Sequence, residues 1–166
     1  NTHNACFVSY DKSGEQPKHI FVRGTLTDKS FKKDAQGSDK AFPFIIEAAE
    51  SAKKVYVFES AIDAISHATL YKLNHLDYKD SYRISIHGTS FLGLETFLKE
   101  HPKIKEIVAC LDNDPTGQRR ADKMCVTFKA QGYDVFKQPP KVKDYNQQLV
   151  DYLSIRRTNE EMELEP

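Results

Sequence analysis

Apolar positions follow two different rhythms along the chain. In the first 46 residues they come as short strand-like bursts, CFVSY (6–10) and HIFVRGTL (19–26), and SYDKSGEQP between them supplies the Gly and Pro of a hairpin-type turn. The stretch TDKSFKKDAQGSDKAFP (27–43) is polar with scattered aromatics and reads as a loop. From residue 53 the rhythm changes. VYVF (55–58) is wholly apolar, the mark of a strand buried on both faces. SAIDAISHATLYKL then places apolar residues at 61, 62, 65, 70 and 73, a helical spacing. RISIHG (83–88) is a second strand, ending in Gly88, and TSFLGLETFLKEH a second helix capped by Thr89 or Ser90. IVACL (107–111) is a third buried strand. PTGQRRADKMCVTFKAQG reads as a helix with Pro at its first position, stopping at Gly132. YDVFKQPP is a fourth strand, and KDYNQQLVDYL a last short helix before a charged tail expected to be mobile.

Strand–helix alternation of this kind predicts βαβ units: a parallel sheet of about four strands with helices on both faces. Three units are expected: a β-rich, basic N-terminal subdomain (1–52), the α/β domain (53–153) and the tail (154–166). In such sheets chemistry gathers at the carboxyl ends of the strands. Glu59 follows VYVF directly, Asp112 and Asp114 follow IVACL, and Lys143 and Asp144 come after the fourth strand. Carboxylates that close repel one another and bind protons more tightly unless a cation sits among them. An all-oxygen set suits Mg²⁺ or Mn²⁺. Structural roles compete for several of these acids. Asp63 closes a capping-box-like Ser60-x-x-Asp63, and Asp114 before Pro115 is a well-formed helix N-cap.

Composition excludes several classes. Apolar residues make up 39% and charged residues 29%, as in a globular protein, and no apolar run approaches the ~20 residues of a membrane span. The start, NTHNACFVSY, is not a signal peptide, and without an initiator Met the chain is expected to be a piece of something longer. Cys6, Cys110 and Cys125 form no CxxC and read as reduced, buried thiols of a cytoplasmic protein. Net charge is zero, so a polyanion has to meet a local patch. Residues 17–40 provide one, with six basic residues against three acidic ones. Neither a P-loop nor a G-x-G-x-x-G motif occurs, and no G-x-S-x-G elbow marks a serine nucleophile.

VYVFESAID, RISIHGTS and IVACLDNDPTGQRRA, in that order, resemble the Toprim domain shared by bacterial-type primases, topoisomerases and OLD-family nucleases. The RGT…GSDK…F stretch and the K-D-x-N of KDYNQQL extend the likeness towards primase-like proteins of plasmids and conjugative elements. The resemblance implies that Glu59, Asp112 and Asp114 are catalytic, metal-binding acids and that Asp144 is an additional ligand. It implies that Arg23, Lys32, Lys33, Lys40 and Lys143 contact nucleic acid or triphosphate, with Asp63, Gly88 and Asn146 supporting. The chain departs from replicative primases in carrying Ser60 where Gly is commoner and a single Asp144 followed by Asn146. The implied activity is Mg²⁺- or Mn²⁺-dependent primer synthesis on single-stranded DNA from nucleoside triphosphates, within a plasmid or mobile-element replication protein. Two alternatives stay open: a metal-dependent nuclease of the OLD type and a non-catalytic nucleic-acid-binding module.

Overall fold

In the computed structural model we describe residues 3–26, 31–87 and 90–163, leaving aside the side chains of 160–163. Gly88 and Thr89, expected to end a strand and cap a helix, lie outside the described residues. The N-terminal part is an antiparallel sheet of β1 (Asn4–Tyr10), β2 (Pro17–Gly24) and β3 (Lys32–Asp34), in that order. β3 falls in the stretch expected to be loop. Its KKD is too polar to signal a strand, and it is held by pairing Lys32 with Arg23 and Lys33 with Val22. Cys6 lies on the outer side of β1 and is exposed, contrary to expectation; Cys110 is buried and Cys125 half-buried.

The second sheet contains β4 (Phe44–Ile46), β5 (Lys54–Phe58), β6 (Tyr82–Ser85), β7 (Glu106–Ala109) and β8 (Asp134–Lys137) in the order β4-β6-β5-β7-β8. Four of these strands are parallel, and β4 adds an antiparallel edge to β6. β5 is central and its side chains alternate between two cores. Val55 and Val57 meet Leu94, Phe97 and Phe128, from α2 (Leu92–Glu100) and α3 (Pro115–Lys129). Tyr56 and Phe58 meet Ala64, Leu70 and Tyr145, from α1 (Ala61–Leu73) and α4 (Tyr145–Glu163). A strand with helices over both faces has no solvent side to fill with polar residues, which explains its apolar run. The short helix expected at the C-terminus continues as α4 to Glu163. Among the described residues no helix is long and apolar enough to cross a membrane.

Candidate active site

The acid-bearing strands end side by side. Val57 of β5 pairs with Ala109 of β7, and Ala109 with Lys137 of β8. Glu59 and Asp112 therefore leave neighbouring strands, about 4.8 Å apart, at one edge of the sheet. The Asn113 N–H donates to the Lys143 carbonyl at 2.8 Å and draws the segment after β8 to the same edge. Glu59, Asp63, Asp112 and Asp144 line one cleft of about 880 Å³. Arg23, Lys32, Lys33, Lys40 and Lys143 line it too.

Each acid is held differently. The Asp112 side chain accepts no hydrogen bond among the described residues. Burial, and then the charges of Glu59, Asp63, Asp144 and Asp114, push its pKa up to about 7. Its backbone is fixed by close approach. A Cβ on Gly117 would sit 2.1 Å from the Asp112 carbonyl oxygen, so only glycine lets α3 pack there. Glu59 Oε2 accepts from Arg120 Nη1 at 2.7 Å, while its Oε1 is buried with no hydrogen-bond partner among the described residues. Asp63 is buried, which raises its pKa. Its Oδ2 accepts from the Ser60 hydroxyl at 2.5 Å and its Oδ1 from the Asn146 N–H at 3.1 Å. Asn146 thus takes part through its backbone, tying α4 to α1.

Asp114 is exposed and is not part of the cleft wall. Its Oδ1 caps α3, accepting from the Thr116 and Gly117 N–H groups at 2.8 Å each. Asp144 lines the cleft, but its Oδ1 accepts from the Gln147 N–H at 2.7 Å at the start of α4. Each keeps its second oxygen without a hydrogen bond among the described residues.

The basic wall belongs to the N-terminal sheet, where Arg23 on β2 lies opposite Lys32 on β3. Lys40 pairs with Asp34 Oδ2 at 2.9 Å; Arg23, Lys32, Lys33 and Lys143 form no ion pair among the described residues. Asp34 Oδ1 is 3.1 Å from Nε2 of the fully buried His19, whose ring stacks on His87 with centroids 4.2 Å apart. His87 sits just beyond β6 and has φ 34°, in the left-handed region. Burial, then His19, pushes the His87 pKa down to about 4, so the His87 ring is uncharged at neutral pH. Sequence reasoning missed the seam and Arg120. Their partners are distant along the chain, and Arg120 lies inside α3 rather than at a strand end.

The donor set fits a divalent cation by type: oxygen ligands only, mutually repelling acids, and a buried Glu59 oxygen without a donor. Its geometry is open. Among the described residues no three His, Cys, Asp or Glu side chains are gathered closely enough to hold an ion as they stand.

Residues 56–149, more than half of the chain, match the Toprim-like family model. The chain belongs to the Toprim-like family. Residues 1–49 match a family described as protein of unknown function, DUF3991. No curated protein matches. Among solved structures, the primase fragment of the bacteriophage T7 primase-helicase protein is similar with a TM-score of 0.61 at 17% identity, over 89% of this chain and 58% of that one. An assembly of T7 lagging-strand DNA polymerase with primase domains bound to an RNA/DNA hybrid and dTTP gives a TM-score of 0.60 at 19% identity, over 93% and 74%. The Aquifex aeolicus primase, with its zinc-binding and RNA polymerase domains, gives 0.56 at 14%, over 86% and 36%. This Toprim-like chain therefore shares the primase fold and spans little more than half of the first of these relatives and about a third of the last.

Proposed function

We propose that this Toprim-like chain performs metal-dependent nucleotidyl transfer of the primase kind, joining nucleotides on a single-stranded DNA template. The observation that carries this reading is the cleft itself, which Glu59, Asp112 and Asp144 line together with Arg23, Lys32, Lys33, Lys40 and Lys143. In the reaction a 3′-hydroxyl oxygen attacks the α-phosphorus of a nucleoside triphosphate, a new P–O bond forms, and pyrophosphate leaves. Glu59, Asp112 and the uncapped oxygens of Asp114 and Asp144 would hold Mg²⁺ or Mn²⁺, which would supply neutralising charge and acidify the attacking hydroxyl. The lysines and Arg23 bind phosphates, with strength that falls as salt rises. Asp63, Ser60 and the Asn146 N–H keep the first turns of α1 and α4 in place beneath the site. By the same reading the chain is one part of a longer cytoplasmic replication or mobilisation protein of a plasmid or mobile element.

A second reading, nucleic-acid binding without turnover, draws on the Glu59–Arg120 ion pair and on the capping roles of Asp114 and Asp144. The test is incubation with Mn²⁺, labelled triphosphates and single-stranded DNA, beside Asp112→Asn. New oligonucleotides in the wild type only are expected. A shortened template instead supports the nuclease class. DNA binding without turnover in either protein overturns the catalytic proposal.

A further inference from the structure

The reading above makes the acidic edge a cation site, yet one of its acids already has a cation. Arg120 reaches back from α3 to the end of β5 and places Nη1 2.7 Å from Glu59 Oε2. The pair is well shielded, with the two side chains 14% and 25% exposed. A guanidinium that deep is costly without an anion, so it holds whichever carboxylate it can reach. The arrangement is incomplete for Glu59, whose Oε1 is buried with no donor among the described residues. Glu59 shares its cleft with Asp63, Asp112 and Asp144, and of these four acids Arg120 is ion-paired with Glu59.

We propose that Arg120 is the resident counter-ion of the Toprim-like acidic edge, and that a divalent cation gains Glu59 only by displacing it. Arg120 then lowers metal affinity and sets the cation concentration at which the site fills. It acts through Glu59 and is a positioning residue. This inference rests on the metal-site reading given above.

The experiment is calorimetric titration of Mn²⁺ into the full chain after EDTA treatment, for wild type, Arg120→Gln, Arg120→Lys and Asp112→Asn, with circular dichroism melts to establish folding. Arg120→Gln is expected to bind Mn²⁺ about tenfold more tightly than wild type. Arg120→Lys, which keeps a charge but loses the planar fork, is expected to fall between them. Should Arg120→Gln fail to fold, the Lys variant carries the test alone. Unchanged or weaker binding in the folded Arg120 variants, with Mn²⁺ heat in wild type, overturns the displacement role and leaves the metal site standing. Absence of Mn²⁺ heat from every protein overturns the metal site and this inference together.

Discussion

Asp112 concentrates the electrostatic stress of the acidic edge, since it is partly buried, lacks a hydrogen-bond donor among the described residues, and has four other acids nearby. Its pKa near 7 in the fold compares with an ordinary carboxylate value of 3.8 in the unfolded chain. Below the lower value both states carry the proton and Asp112 contributes nothing to pH dependence. Between the two values the unfolded state releases its proton first, so stability falls as pH rises, and the loss is complete above about 7. Asp112→Asn mimics the protonated acid. Without divalent cations the variant should be more stable than wild type at pH 8, by about 1–3 kcal/mol once solvent screening is allowed for. The gain should vanish at pH 3.5. Urea melts in EDTA across that range check this; a variant less stable than wild type at pH 8 would contradict it. Such a penalty, tolerated in the metal-free fold, is what a cation-binding acid is expected to carry.

Beneath the site, β6 and α1 are joined by a polar core that the hydrophobic pattern conceals. Arg83 is fully buried. Its Nε donates to His67 Nδ1 at 2.9 Å, and its Nη1 donates to the Ser81 carbonyl at 2.9 Å and to the Tyr78 carbonyl. The guanidinium lies 4.6 Å from the Tyr71 ring centroid and 5.1 Å from that of Tyr56. Burial, then Arg83, keeps His67 neutral, with its pKa down to about 3. Arg83→Ala should cost about 3–5 kcal/mol, because it opens a cavity and leaves two carbonyls and an imidazole nitrogen without donors. A urea midpoint within experimental error of wild type would refute this. In the sequence, Arg83 reads only as the first letter of RISIHG, and nothing local pairs it with His67, which lies 16 residues away. The elements themselves were easier to read. KVYVF and IVACL are apolar enough to mark central strands, and Ser60 and Asp114 cap α1 and α3 as their sequences suggest. At the site, placing Glu59, Asp112 and Asp144 needed only the strand-end rule. Arg120, Asp34, His19 and His87 depend on which elements meet in space, and one-dimensional spacing does not encode that.

The chain is electrically neutral, but its two sheets divide the labour of charge across the cleft. Four of the five cations on the wall, Arg23, Lys32, Lys33 and Lys40, precede residue 43; of the acids on it, Asp34 precedes that point and Glu59, Asp63, Asp112 and Asp144 follow it. What joins the halves is largely uncharged: the His19–His87 stack and the edge-to-face contact of Phe7 with Phe44. β4 pairs Phe44, Ile45 and Ile46 with Ser85, Ile84 and Arg83, so it belongs to the Toprim-like sheet. A fragment of residues 43–166 should therefore fold and bind Mn²⁺ as the full chain does. Its affinity for single-stranded DNA should be at least about tenfold weaker. The slope of log K against log salt should drop from about −3.5 for five phosphate contacts to about −0.7 for one. Beginning at residue 53 instead strips β4 from β6 and exposes an apolar edge around Ile84, a template for aggregation. Size-exclusion chromatography of the two fragments, with DNA anisotropy on the soluble one, separates these outcomes. Undiminished DNA affinity in 43–166 would show that the N-terminal sheet is not the nucleic-acid wall, whatever the acidic edge proves to bind.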